Sequence, residues 1–151
     1  MKNFIQNKLV IVLLVFFVCS KNILAQNQNL ASLKLIPKEL KGNFKDDYDI
    51  TYTINDSVWI QHPGGTYHLL KYDSTGKYFI AKNDEANRVS AGLFTRIDIM
   101  YFKNMEPWQW GFCLTAYDAK TFEEAESKIS ADRNNPKKGC GGFPFSRMKR
   151  E

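Results

Sequence analysis

Short alternating segments separated by turn residues run through most of this chain, and they limit its fold more than any other feature. In "DITYTI" every second residue is apolar or aromatic, as expected of a strand with one buried face. Asn55-Asp56 and the segment 73–76, "DSTG", supply residues that tight turns favour. Because such turns join neighbouring strands directly, the pattern predicts an antiparallel meander from Leu40 onward.

One segment has the signature of a helix. Thr121 is an N-cap residue, Glu124 completes a capping box, and apolar residues then recur at three-and-four spacing. We therefore predict a helix near residues 121–131. The predicted fold class is mainly β: a small antiparallel β-barrel or curved meander sheet, with one C-terminal helix and a disulfide-anchored tail.

The N-terminus is typical of export. A basic start and the apolar run "LVIVLLVFFVCS" identify residues 1–25 as a secretory signal peptide, cleaved near Ala25. The run is shorter than the roughly 20 residues of a spanning helix, so no retained transmembrane segment is expected. A lipoprotein anchored through Cys19 is the less favoured alternative, because bulky residues precede that cysteine. A polar lead-in, 26–38, and a single β domain, 39–151, complete a secreted or periplasmic protein.

Net charge argues against a nucleic-acid partner. The chain has 21 basic and 16 acidic residues, and removing the three lysines of the signal lowers the net charge from +5 to +2. An excess this small does not form the basic footprint that nucleic-acid binding needs. We expect no nucleic-acid partner, and the oligomeric state is left open.

The cysteine count predicts one disulfide. Of three cysteines, Cys19 leaves with the signal, and Cys113 and Cys140 then share an oxidising compartment. A bridge between them contributes about 3–4 kcal/mol to stability by the chain-entropy estimate. The last segment, "KKGCGGFPFSRMKRE", lacks the order of a phosphate loop. We interpret it as a stapled tail in which Phe143 and Phe145 insert against the sheet and the basic end is solvated.

The segment "LFTRIDIMYF" contains the first candidate binding residues. Alternation places Phe94, Arg96, Asp98, Met100 and Phe102 on one strand face, and leucine, isoleucine and tyrosine dominate the other. If the charged face points inward, Arg96 and Asp98 pair inside a barrel and offer a guanidinium to an anionic ligand. If the isoleucine face points inward, the pair is solvent-facing and contributes little. We favour the second arrangement, because the isoleucine face is more uniformly apolar.

Three more side chains are candidate ligand-binding residues. Trp108 and Trp110 follow Pro107 on one strand face, where they would flank the mouth of a barrel. His68 shares a face with Tyr72, and there a hydrogen-bonded core histidine is the favoured interpretation.

Catalysis, metal binding and a cofactor are not expected. The chain has two histidines, His62 and His68, and no G-x-S-x-G nucleophile pattern. Two separated histidines and a bridged cysteine pair leave too few ligands for zinc. The acidic residues Asp46, Asp47 and Asp49 are interpreted as solvated, with calcium as the most they could hold.

Two resemblances bear on the fold. Gly42-Asn43-Phe44 resembles the G-x-W start of a lipocalin, with Phe44 in place of the tryptophan. The chain also resembles a family of uncharacterised small secreted bacterial β proteins. The likeness lies in Asn83-Asp84 with Asn87, in Arg96 and Asp98, in the stretch 113–119, and in the "GCGGFPFS" tail, 139–146. These resemblances imply a lipocalin-like, exported β protein and bring no catalytic residue.

The sequence therefore predicts a secreted, non-enzymatic binding protein for a small apolar or amphipathic ligand. The alternative is a surface or partner-interaction protein with a filled core and no ligand cavity. An internal void beside Arg96 or the tryptophans favours the first hypothesis, and a packed interior favours the second.

Overall fold

A computed structural model describes residues 36–151, which form a closed barrel of eight antiparallel strands. The strands are β1 Gly42–Asp46, β2 Thr51–Ile54, β3 Val58–His62, β4 Thr66–Asp73, β5 Tyr78–Asn83, β6 Phe94–Tyr101, β7 Trp110–Ala119 and β8 Ser146–Arg150. A 3-10 helical turn, Lys38–Leu40, precedes β1, and a short helix, α1 (Phe122–Ser127), follows β7. The predicted mainly β, antiparallel fold is confirmed. Within the described residues, no helix has the length and apolar character needed to cross a membrane.

The strands follow one another around the barrel in chain order, and β8 closes it by pairing with both β1 and β7. Phe44 lies opposite Arg150, and Trp110 lies opposite Met148. Closure pairs backbone groups that would otherwise be exposed along two strand edges. The end of the chain that was predicted to be a solvated basic tail is therefore a barrel strand: Arg150 is exposed, Arg147 and Lys149 are half-buried, and Met148 between them is buried.

Large aromatic side chains fill the interior of the barrel. Trp59 is 1% exposed and packs edge-to-face on Trp110 and Phe112, with ring centroids 5.8 and 5.1 Å away. The remaining inward side chains are Phe44, Tyr52, Ile54, Leu69, Tyr72, Phe79, Ala81, Ile97, Ile99 and Met148. Each of these side chains is at most 8% exposed. An eight-stranded barrel is narrow enough for its own side chains to fill it, and this one is filled.

Strand β6 is buried on both faces. Ile97 and Ile99 point into the barrel, as the favoured interpretation required. Arg96 and Asp98 lie on the outer face, yet they are only 4% and 0% exposed. The prediction of a solvent-facing pair is wrong, because α1 and the residues that follow it cover this part of the barrel wall.

Helix α1 is shorter than predicted. Thr121 Oγ1 accepts a hydrogen bond from the backbone N of Glu124 at 3.1 Å, so the predicted N-cap is present. The helix ends at Ser127, well before residue 131, and Ile129 is 91% exposed instead of buried. Lys128 already has extended backbone angles, which lets the next residues run across the outer face of β6.

Residues 128–145, here named the strap, connect α1 to β8 along the outside of the barrel. The predicted disulfide joins Cys140 in the strap to Cys113 in β7. Gly141 and Gly142 have φ values of 60° and 94°, a region that glycine enters without steric cost. These glycines let the strap turn sharply after Cys140, where the backbone N of Phe143 donates to the carbonyl oxygen of Cys140 at 2.9 Å.

The two phenylalanines of the strap have different environments. Phe145 is fully buried and packs with Cys113 and Ala131 against the barrel wall. Phe143 is exposed. The prediction that both rings insert against the sheet therefore holds for Phe145 only.

Raising the pH above about 10 is expected to unfold the barrel. Burial raises the pKa of Tyr52, Tyr72 and Tyr101, so the folded state keeps these phenols protonated. Their contribution to stability is complete below the unfolded-state pKa and is lost as the pH rises toward the folded-state values. Phenolate absorbance and far-UV circular dichroism should therefore change in one joint transition.

The chemically unfolded chain is the control for this titration, because all seven tyrosines should then ionise together. Complete ionisation of the native protein at about pH 10 with unchanged circular dichroism would contradict the expectation.

Candidate functional site

The predicted binding pair, Arg96 and Asp98, is the centre of a buried hydrogen-bond network. Arg96 Nε and Nη2 donate to the two carboxylate oxygens of Asp98, each at 3.2 Å. Nη1 donates to the carbonyl oxygen of Glu126 at 2.6 Å, and Nη2 donates to Ser130 Oγ at 2.7 Å. The guanidinium also stacks on Tyr78, with its Cζ 3.8 Å from the ring centroid. Arg96 thereby fastens the end of α1 and the start of the strap to β6.

Asp98 is satisfied by several donors. Thr115 Oγ1 donates to it at 2.6 Å, and Arg133 Nη2 donates at 3.1 Å from the strap. Arg133 Nε donates to the carbonyl oxygen of Ile99 at 2.7 Å. A buried ion pair is tolerated when its remaining donors and acceptors are matched in this way. The network holds the strap on the barrel wall, and a ligand role for Arg96 and Asp98 stays a prediction.

Trp108 and Trp110 do not share a face, so that prediction is wrong. Trp110 lies in the packed interior, and its Nε1 has no hydrogen-bond partner within residues 36–151. Trp108 lies outside the barrel, where Arg147 Cζ and Lys149 Nζ are each 5.2 Å from its ring centroid. Strand alternation does not relate the two tryptophans, because β7 begins only at Trp110 and Trp108 belongs to the preceding turn.

His68 is outside the barrel, not in the core as predicted. Its Nε2 lies 2.7 Å from Asp84 Oδ2, and the imidazole is about half exposed. The pairing of β4 with β5 shifts register between Leu69 and Lys71. This irregularity turns both Leu69 and Tyr72 inward and leaves His68 on the outer face.

The acidic residues near the β1–β2 turn do not form a shared site. Asp46 is buried, not solvated as predicted. Asp47 pairs with Arg147, and Asp49 pairs with Lys45. Nowhere in residues 36–151 are three His, Cys, Asp or Glu side chains grouped to hold a metal ion.

An open cleft of about 520 Å³, here named the outer cleft, lies on the outer wall of the barrel. Its apolar lining comes from the β1–β2 turn, the β6–β7 loop and the strap: Tyr48, Phe102, Met105, Pro136, Pro144 and Phe145. Phe145 and Phe102 pack in the cluster beneath the strap and form the floor. Tyr48, 63% exposed, and Met105 are walls that remain open to solvent.

Three charged side chains, Asp47, Lys137 and Arg147, line the same cleft. The backbone N of Arg147 donates to Asp47 Oδ1 at 2.9 Å, and its Nε donates to Oδ2 at 2.8 Å. Lys137 is exposed, whereas the Asp47 carboxylate is mostly buried. The outer cleft therefore combines an apolar floor with one net positive charge at its edge.

The β1–β2 turn holds Asp47 and Tyr48 in a defined position. Asp46 Oδ1 accepts hydrogen bonds from the backbone N of Tyr48 and of Ile50, both at 2.9 Å. Asp46 Oδ2 accepts from the hydroxyl of Tyr52 at 2.9 Å. Burial, and then the hydrogen bond to Asp46, raise the pKa of Tyr52, so this phenol stays a donor in alkaline solution where a free tyrosine ionises.

Sequence reasoning missed the outer cleft because its lining comes from separate parts of the chain. Tyr48 lies in a turn, Met105 lies in a loop, and no periodicity relates the two. One signal pointed toward a wall of the cleft: the predicted disulfide places the residues after Cys140 beside β7.

Comparison with protein-family models, curated proteins and solved structures finds no match to this chain. The resemblances to lipocalins and to secreted proteins with a GCGGFPFS-like tail therefore stay predictions.

Proposed function

We propose that this protein is a non-enzymatic binding protein that takes a small apolar or amphipathic ligand in the outer cleft. One observation carries the proposal: an apolar cleft of about 520 Å³ is open on the outer wall of the barrel. The ligand class is the one expected from the sequence. The location differs, because the sequence-based hypothesis placed the ligand inside the barrel.

The size and chemistry of the outer cleft support binding. Its volume lies within the roughly 300–1,000 Å³ of typical small-molecule sites, which are mostly apolar with a few placed polar groups. Tyr48 and Met105 are exposed, and a ligand that covers them removes apolar surface from water, which favours binding. Among the described residues that line the cleft, Asp47 has both carboxylate oxygens engaged by Arg147, and there is no serine, cysteine or histidine beside it.

Export is part of the proposal. The signal peptide predicted for residues 1–25 and the lead-in 26–38 lie largely outside the described residues. The Cys113–Cys140 bridge supports an oxidising compartment, where such bridges form and persist. We infer a secreted or periplasmic protein, with a lipid anchor at Cys19 as the less favoured form.

The second candidate function is a surface that binds a protein partner with no small ligand. The packed barrel interior also favours this hypothesis, as does the exposed ring of Phe143, which precedes the cleft-lining Pro144 in the chain. The two functions differ in a simple observable, because only the first predicts saturable binding of a small apolar probe.

We expect the uncharged fluorescent probe N-phenylnaphthylamine to bind the wild-type protein at one saturable site. The double variant Tyr48→Ser, Met105→Ser should weaken this binding about tenfold, because it removes apolar contact area from two exposed walls of the cleft. Neither side chain belongs to the barrel core, so the variant should keep the wild-type melting temperature. Fluorescence titration measures both affinities.

Tyr117→Ser is the matched control, because Tyr117 is 55% exposed and does not line the outer cleft. It should leave the affinity unchanged. Equal weakening by both variants, or saturable binding that neither changes, would place the site elsewhere. Absence of saturable binding would favour the protein-partner function.

A further inference from the structure

We infer that the outer cleft selects amphipathic molecules with a single anionic head group, which Arg147 and Lys137 bind at its edge. The inference rests on the proposed function, since it assigns a charge to the ligand of that same cleft. The head-group chemistry is that of a carboxylate on an apolar chain or ring.

Arg147 is held in place by its contacts with Asp47 and Trp108. Its Nε is engaged with Asp47 Oδ2, and its Cζ lies 5.2 Å from the Trp108 ring centroid. Within residues 36–151, its Nη1 and Nη2 groups donate no hydrogen bond. A planar fork of donors that is already oriented loses little entropy on binding and matches the two oxygens of a carboxylate.

Asp47 limits the number of negative charges that a ligand head group can carry when it binds in the cleft. Both of its oxygens receive hydrogen bonds from Arg147, so its negative charge balances one of the two cations at the edge. Lys137 supplies the remaining charge, and its exposed ammonium can move toward a bound head group. One net positive charge complements a monoanion, whereas a cationic head group would meet two repulsive side chains.

The apolar floor begins beside these charges. Phe145 is buried, Phe102 packs against the same cluster, and Pro144 continues the apolar surface along the strap. A ligand with its head group at Arg147 can therefore lay an apolar chain across the floor, which removes both surfaces from water. The amphipathic arrangement of the cleft selects an amphipathic ligand.

The test compares decanoate, decanol and decyltrimethylammonium, each titrated calorimetrically into the full mature protein at low ionic strength. Decanoate should bind about tenfold more tightly than decanol, because a charge-assisted hydrogen bond is added to the same apolar contact. Decyltrimethylammonium should bind most weakly. Arg147→Met, which keeps an apolar stem, should bring the affinities of decanoate and decanol together.

Lys149→Met is the matched control. Lys149 lies at the same 5.2 Å from Trp108 as Arg147 but does not line the outer cleft. It should preserve the preference for decanoate. Lys137→Met, at an exposed position, is a second variant that keeps the test valid if Arg147→Met folds poorly, and it should reduce the preference.

Three results would contradict this inference, in whole or in part. Equal binding of decanoate and decanol by the wild-type protein would overturn it and leave the proposed function standing. A decanoate preference that survives both Arg147→Met and Lys137→Met would overturn the assignment of the head group to this edge. Failure of all three probes to bind would overturn the proposed function as well.

Discussion

Replacing Asp98 with asparagine is expected to lower the free energy of unfolding by about 3–5 kcal/mol, the usual cost of removing one partner from a buried ion pair. Asp98 is fully buried and accepts from Arg96, Arg133 and Thr115. The substitution keeps the shape of the side chain but leaves the guanidinium of Arg96 buried without a counter-charge. Urea unfolding followed by circular dichroism measures the loss.

Two further variants distinguish the cost of leaving a buried charge unpaired from the cost of losing a single contact. Asp56→Asn removes a carboxylate that pairs with Lys41 at 2.8 Å on the surface, and it should cost less than about 1 kcal/mol. The double variant Arg96→Met, Asp98→Leu replaces the pair with apolar side chains and should cost less than Asp98→Asn alone. Equal destabilisation by Asp98→Asn and Asp56→Asn would show that the buried network adds little to stability.

The strands were predictable where the evidence for them is local. β2 contains alternating apolar residues, β4 is rich in aromatic and aliphatic residues, and both are bounded by turn residues, so their existence follows from their own sequence. β8, "SRMKR", was missed because Met148 is its one apolar residue. The partners that make it a strand, β1 and β7, are distant along the chain, and no local pattern encodes that pairing.

The wrong predictions for Arg96 and His68 have the same physical origin: features that the local sequence does not encode decide where these side chains lie. Alternation correctly separated Ile97 from Arg96, but it contains no information about the strap that later covers Arg96. For His68, one irregularity in β4 reverses which side chains point inward, and the sequence does not mark its position. The disulfide was predictable because it depends on counting cysteines in an exported chain, not on knowing which surfaces meet.

Replacing Trp59 with alanine is expected to destabilise the barrel by about 3–5 kcal/mol, because it removes the largest kind of side chain from a packed interior. Tyr52, Phe79, Trp110 and Phe112 surround the indole with centroid separations of 5.1–6.1 Å. Rings held by closed strands cannot collapse fully into the space that is left. Urea unfolding at neutral pH measures the loss.

The resulting void should then bind indole, since an enclosed apolar cavity stays dry and accepts a small apolar molecule. Indole should therefore raise the melting temperature of Trp59→Ala more than that of the wild-type protein, by mass action on the folded state. Any binding in the outer cleft is common to both proteins and cancels in this difference. Trp108→Ala, which removes the same side chain from the outside of the barrel, should cost less and show no added stabilisation by indole. Equal stabilisation of wild type and Trp59→Ala would mean that the native barrel already admits a ligand, and the site would then move from the outer wall back to the interior.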